Sequence, residues 1–189
     1  MPRIVDWPAR MREVADFVGL GSAELDVVQA TAPAVLKHGE ELIAAVYDHF
    51  LKFDGSRSFF LGEDGEVDEP KLERRKHSLL RWLRGSIDFK LDEDYPIRVL
   101  ATGIVHSHPP SHREHLGSIP SRFMIATISF IQTALNDIFH QEIEDPEEAN
   151  QASVAWSKLL MVQLDILLAG YVIDTPTDAE KVAGPQAAE

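Results

Sequence analysis

Along almost its whole length this sequence repeats its apolar residues at intervals of three and four, and no segment sustains the alternation of a half-buried strand. That pattern points to an all-α fold. Met11, Val14, Ala15 and Val18 share one face of a first helix, which Pro8 can open and Gly19 and Gly21 end. Ser22 suits the cap of a short second helix through Leu25, Val28 and Gln29, and Pro33 is expected to break it. A third helix then runs to about Phe53, with Leu36, Ile43, Tyr47, Phe50 and Leu51 toward the core. Asp54-Gly55-Ser56 reads as a turn, followed by an aromatic knot at Phe59 and Phe60 and a polar loop from Gly62 to Gly65. Asp68-Glu69-Pro70 opens a helix to about Ile87 whose apolar face holds Leu72, Leu79, Leu80, Trp82 and Leu83.

Two long helices follow a shorter one near His106. Pro120 starts the first, which runs to about Ile143 with Met124, Ile128, Ile131, Leu135 and Ile138 on one stripe and Phe123, Phe130 and Ala134 on a second. Asp145-Pro146-Glu147-Glu148 opens the last, through Val154, Trp156, Leu159, Leu160, Leu164, Leu167 and Leu168 to about Val172. Its apolar residues cover more than one face, so it is either central to the fold or buries a partner subunit. The expectation is a homodimer built on the last two long helices. Residues 1–173 form a single domain of about eight helices, and 174–189, rich in Thr, Pro, Ala and Gly, read as a disordered tail.

Composition narrows the function. A net charge of −13 argues against a nucleic-acid backbone as partner and against an anionic membrane surface. With no cysteine, disulfides, thiolate catalysis and Cys-ligated zinc or iron–sulfur sites are excluded. Met1 to Trp7 carries an early acid and lacks the apolar run of a signal peptide. The richest apolar run, Leu159 to Ile173, has 15 residues interrupted by Gln163 and Asp165, short for a bilayer span. A soluble cytoplasmic protein is expected.

The stretch from Tyr95 to Pro110 carries the chemistry. Asp92 suits an N-cap with Glu93 and Asp94 in the first turn, Pro96 is tolerated that early, and Pro109 and Pro110 stop the helix within a turn of His106. Val99, Thr102, Gly103 and His106 fall at i, i+3, i+4 and i+7 and share a face. Gly103 removes a side chain one turn before His106, where a flat partner can approach. This arrangement suits the axial ligand of a haem; a buried, hydrogen-bonded core histidine fits the same residues. Tyr47 lies mid-helix among Ile43, Phe50 and Leu51, and a buried phenol needs a partner, either a backbone carbonyl or a small polar ligand. His106, His108, His112 and His115 also permit a zinc or nickel site, although a solvated Pro-rich loop accounts for them. The acidic segments Asp92–Asp94 and Glu142–Glu148 fit helix N-termini rather than catalytic dyads. No Ser–His–Asp order, phosphate loop or dinucleotide fingerprint has a suitable context.

Taken in order, these pieces resemble a known family. An acidic Tyr47-Asp48 helix is followed by Phe59-Phe60, then by a His77-to-Gly85 helix carrying Trp82-Leu83. An acidic cluster with Tyr95 comes next, then Ile104-Val105-His106, and Ile119-Pro120-Ser121-Arg122-Phe123 opens a long helix. The series resembles the globin domain of globin-coupled sensors, and more closely the single-domain protoglobins, over roughly residues 8 to 173. An extra helix before the usual globin start is part of the likeness.

The resemblance implies a globin fold, a haem b cofactor and a diatomic gas ligand (O₂, CO or NO), used for sensing, scavenging or NO chemistry. It makes His106 the proximal iron ligand through a neutral imidazole nitrogen. Tyr47 becomes the distal donor to bound dioxygen, with Val46, Leu79 and Leu83 as an apolar distal wall. Phe60, Phe123, Ile128 and Ile131 would pack on the macrocycle. Arg75, one turn before Leu79, stands where myoglobin-like globins carry a distal histidine. It is either solvated or swings toward the ligand or a propionate, and Arg57, Lys76 and Arg113 are further cations for the propionates.

Two departures accompany the resemblance. The loop after His106 is longer than in typical globin-coupled sensors and leaves His108 as a rival ligand. Helical phase with Val99 and Gly103 favours His106, whereas His108, preceding Pro109, is expected outside the helix and exposed. No fused transmitter is expected after the globin segment. Two other functions stay open: a haem-free signalling module of globin fold, which His106 in phase argues against, and a haem enzyme of peroxidase or nitrite-reductase type. For the enzyme, Tyr47 is the one distal acid–base candidate, so no enzymatic role is expected.

Overall fold

The computed structural model describes residues 5–87, 94–109, 111 and 117–172. Its helices are α1 (Trp7–Val18), α2 (Ser22–Lys37), α3 (Gly39–Leu51), α4 (Asp54–Arg57), α5 (Glu69–Ile87), α6 (Asp94–Ser107), α7 (Ser121–Glu142) and α8 (Pro146–Val172), with a 3₁₀ turn Ser58–Phe60 after α4. Among the described residues there is no strand, only an isolated bridge between Leu61 and Val67.

Local chemistry accounts for most of the boundaries. The Asp6 carboxylate accepts the Ala9 amide at 2.9 Å to start α1. Gly19, at φ +68°, ends it by returning its N–H to the Ala15 and Asp16 carbonyls. Glu24 at the third position of α2 accepts the Gly21 amide at 3.0 Å. Lys158 donates to Glu24 and to the Gly19 carbonyl, each at 2.8 Å, so the α1–α2 corner is tied to α8. The Lys158 hydrogen bond and the Gly21 amide together hold the Glu24 carboxyl down at about 2. Asp68 and Asp145 accept the Lys71 and Glu147 amides at the starts of α5 and α8.

Pro33 does not break α2. The helix runs through it to Lys37, because Val28, Ala32 and Val35 lie on one buried stripe that spans the proline. The break falls instead at His38–Gly39, where His38 and Lys37 both bond the Glu142 carboxylate at the end of α7. An added Cβ at Gly39 would already press Leu80 at 3.2 Å. Since the helical phase restarts there, Leu36 belongs to α2 and is 43% exposed, not part of the core expected for the third helix.

α8 is the centre of the fold. It packs on α1, α2, α6 and α7, and 13 of its 27 residues are buried. Its length and composition would suffice to cross a membrane, yet 61% of its apolar window is covered inside the protein, which marks a core helix. The two polar residues that interrupt its apolar run have partners. Gln163 Oε1 accepts from Ser86 Oγ of α5 at 3.1 Å, and Asp165 takes a bidentate bond from Arg10 at 2.7 and 2.8 Å. Most of the apolar excess that suggested a dimer is therefore used within one chain; Val154 and Met161 are the large apolar side chains of its middle left exposed.

The backbones of α6 and α8 cross in close contact. A Cβ built on Gly103 would meet the Leu167 carbonyl oxygen at 2.0 Å, and one on Gly170 would meet the Ile104 nitrogen at 2.7 Å. Only glycine lets two helix backbones approach this far. Asp92, Glu93, Arg113, His112, His115 and the tail 174–189 lie outside the described residues.

Candidate functional site

His106 sits in the last turn of α6, half-buried. Its Nδ1 lies 2.7 Å from the Thr102 carbonyl oxygen. A carbonyl only accepts, so the bond requires Nδ1–H, which leaves Nε2 with its lone pair free of a proton. Burial pushes the imidazole pKa down, the Thr102 bond works against this, and the Arg75 charge adds a smaller push downward. The result is a neutral imidazole whose tautomer and ring orientation are fixed from behind, the usual condition of a metal-ligating histidine. Thr102 carries this role through a backbone atom, which its side-chain identity does not reveal; the i−4 spacing is the only sequence signal.

His108 lies just past the end of α6, as its place before Pro109 requires, but it is half-buried rather than exposed. Its amide still donates to the Ile104 carbonyl, and its Nδ1 is 2.9 Å from Ser107 Oγ. Those two bonds draw it back against the helix end. Among the described residues no three His, Asp or Glu side chains are grouped to hold a metal ion.

α3 carries the second candidate residue, Tyr47. Tyr47 is buried, 7% exposed, in a small cluster with Ile43, Phe60 and Leu72. Phe60 meets its ring edge-on at 5.6 Å and Phe50 at 5.7 Å, so the ring is held on two sides. Burial raises the phenol pKa to about 12, with the Arg75 charge opposing, so the hydroxyl keeps its proton throughout the physiological range.

Val46, Leu83, Ile128 and Ile131 lie in the main core cluster rather than with Tyr47 and Phe60. Leu79 and Phe50 touch both clusters and join them. Phe123 is half-buried at the start of α7, edge-on to Phe59 at 6.1 Å. Gly103 corrects the sequence reading: it faces the α8 backbone, so its missing side chain admits α8 and not a flat cofactor. Spacing put it on the face of His106 but gave no sign of which neighbour that face meets.

Arg75 is not a solvated arginine. It is half-buried, and its guanidinium carbon stands 5.9 Å from the centre of the Phe60 ring. Lys76, by contrast, is bound to Glu73 at 2.8 Å, and Arg57 is exposed on α4. An open groove of 430 Å³ lies elsewhere, between His49 and the α7 residues Ala126, Phe130 and Ala134, and shares no residue with this site.

Eight α-helices and no strand among the described residues, with Tyr47 buried on α3 and His106 half-buried on α6, fit a globin fold. The sequence profile of the Protoglobin family matches residues 8–176. The chain belongs to that family. Among solved structures it is similar to the globin domain of the Geobacter sulfurreducens globin-coupled sensor, at 19% identity and a TM-score of 0.69, covering 85% of this chain and 97% of that one. Comparison with curated proteins gives no match.

Proposed function

We propose that this chain is a haem b globin that reversibly binds a diatomic gas, O₂, CO or NO, for sensing or scavenging. The observation that carries the reading is His106: a neutral imidazole with Nδ1–H committed to the Thr102 carbonyl and Nε2 left as a donor pair. When bound, haem supplies an iron with one coordination position for the protein and one for the gas. His106 Nε2 would hold the iron. Tyr47, still protonated, offers one O–H to a ligand that gathers partial negative charge. Phe50 and Phe60 keep that phenol in place, and Leu79, packed against the cluster of Ile43, Tyr47, Phe60 and Leu72, adds apolar cover.

The test of the gas-binding role is Tyr47→Phe. Losing one hydrogen bond to a partly charged ligand is expected to speed O₂ release about tenfold, a loss of about 1.5 kcal/mol. CO affinity should change much less, because CO carries little charge for the hydroxyl to stabilise. Stopped-flow O₂ release at the wild-type rate in the variant would remove Tyr47 from the role.

We also propose that the protein forms a homodimer through α7 and α8. Ile125, Val154 and Met161, 49%, 54% and 45% exposed, support it as apolar residues left on the outer faces of these helices. Sedimentation at micromolar concentration is expected to give twice the mass of 21.1 kDa. A monomeric mass there would contradict the proposal.

A further inference from the structure

The chain has 31 acidic residues against 18 Lys and Arg, so an outward-facing cation has acids to meet, and several do. Arg10 meets Asp165, Lys37 meets Glu142, Lys76 meets Glu73 and Lys158 meets Glu24. The outer face of α5 departs from this. From Arg74 onward its exposed positions are Arg74, His77, Ser78, Arg81, Arg84 and Gly85, and none is acidic. Among the described residues no carboxylate pairs with Arg74, Arg81 or Arg84; Arg81 donates to the neutral Ser78 Oγ at 3.2 Å. From Arg74 to Arg84 the stripe runs about 15 Å along the helix.

The stripe has an aromatic edge. Trp82 lies half-buried beside it, one turn after Ser78 and one turn before Gly85. A Cβ on Gly85 would meet nothing within 4 Å, so the helix surface is open next to the indole. Arginines around a partly covered tryptophan, with small residues on either side of it, match the make-up of a protein contact, where Trp and Arg carry most of the binding. A guanidinium presents a planar fork of N–H donors that fits a carboxylate.

We propose that the outer face of α5 docks a partner protein through an acidic helix, whose carboxylates meet Arg74, Arg81 and Arg84 and whose apolar side chain covers Trp82. One exposed ion pair contributes little, so the three arginines and the indole must act together. An extended polyanion fits less well. A bilayer or a duplex would bring many of the chain's other acids within a Debye length, about 8 Å, whereas a single helix touches the stripe alone. The docked helix would lie across α5 from Leu72 and Leu79, which pack in and against the Tyr47 cluster, so the partner sits one helix away from that residue.

The experiment uses the full-length protein and a synthetic helical peptide with four Glu on one face and a Leu at its centre. A second peptide has Gln for the four Glu, and a third has Lys. Affinity is read at physiological ionic strength from the anisotropy of the labelled peptide, and the contact is mapped by amide and indole NMR shifts. Shifts are expected over residues 74–85 and at the Trp82 indole N–H. Replacing Glu by Gln in the peptide, or Arg81→Glu with Arg84→Glu in the protein, should weaken binding about tenfold or more. Arg12→Glu with Lys52→Glu makes the same change in net charge at exposed cations elsewhere and should stay within about twofold. The Lys peptide should bind the α5 variant better than it binds the wild type. The Gln peptide reads the same contact on the wild type should the α5 variant fail to fold.

Equal weakening by the two double variants, shifts scattered over the surface, or no shift at millimolar peptide would overturn the proposal. Binding to phosphatidylglycerol vesicles that the α5 variant loses, with the peptide ignored, would assign the stripe to a membrane instead. Self-association lost in the same variant would assign it to a second copy. None of these readouts needs haem, so failure to take up haem strikes the function proposed above and leaves this inference standing.

Discussion

Gly103→Ala is expected to destabilise the protein by more than about 3 kcal/mol, at the upper end of what overpacking costs. The added Cβ would lie 2.0 Å from the Leu167 carbonyl oxygen, 3.0 Å from its carbon and 3.3 Å from the Gly170 Cα. All three are backbone atoms, so no side-chain rotation relieves the clash. The helices must separate, and α8 is held by α1, α2 and α7, so α6 is the one that moves. Because α6 carries His106, haem affinity should fall together with stability. Gly170→Ala meets the same obstacle from the other side, with Gly103 and Ile104 backbone atoms at 2.7 to 2.9 Å. Gly85→Ala is the control: it lies in α5 with nothing within 4 Å of its would-be Cβ, and removing a helical glycine there should stabilise by about 0.5–1 kcal/mol. Urea midpoints for the three variants decide the matter. A wild-type midpoint for Gly103→Ala would mean that α6 and α8 do not cross this closely.

His106→Ala should abolish stable haem binding. Loss of a partner that merely orients a metal ligand costs about 10–100-fold in affinity, and the ligand itself should cost more. The alanine variant is therefore expected to purify without a Soret band under conditions where the wild type retains one. His106→Gly, with free imidazole added, should recover part of the wild-type spectrum, because the space and the Thr102 carbonyl both persist. His108→Ala should leave the spectrum unchanged, since that ring already bonds Ser107 past the helix end. A native spectrum in His106→Ala together with a lost one in His108→Ala would exchange their roles.

The helices were legible in the sequence because capping and apolar spacing agree there. α5 begins beside Asp68 as its pattern requires and is described to Ile87, and α8 is described to Val172. Pro33 misleads because a local rule opposed a buried stripe, and burial of Val28, Ala32 and Val35 prevailed. The shared face of Val99, Gly103 and His106 was legible from spacing alone. What Gly103 touches was not, because a crossing between helices depends on Gly170, a residue 67 positions away (170 minus 103) with no local signal. The same limit applies to Arg75. Its place one turn before Leu79 is plain in the sequence, but only the packing of Phe60 from the 3₁₀ turn shows that it is drawn inward. Nor did the sequence show that the apolar excess of α8 serves four neighbouring helices before any partner chain.

The most direct measurement is a titration of the haem-free wild-type protein with ferric haem, followed by its visible spectrum and then by reduction under CO. A saturable endpoint at one haem per chain is the predicted result, with a sharp Soret band that shifts on reduction and again on CO addition. A linear rise without saturation, or a band identical to haem in buffer, would contradict the account and leave a globin fold whose histidine serves only its own helix.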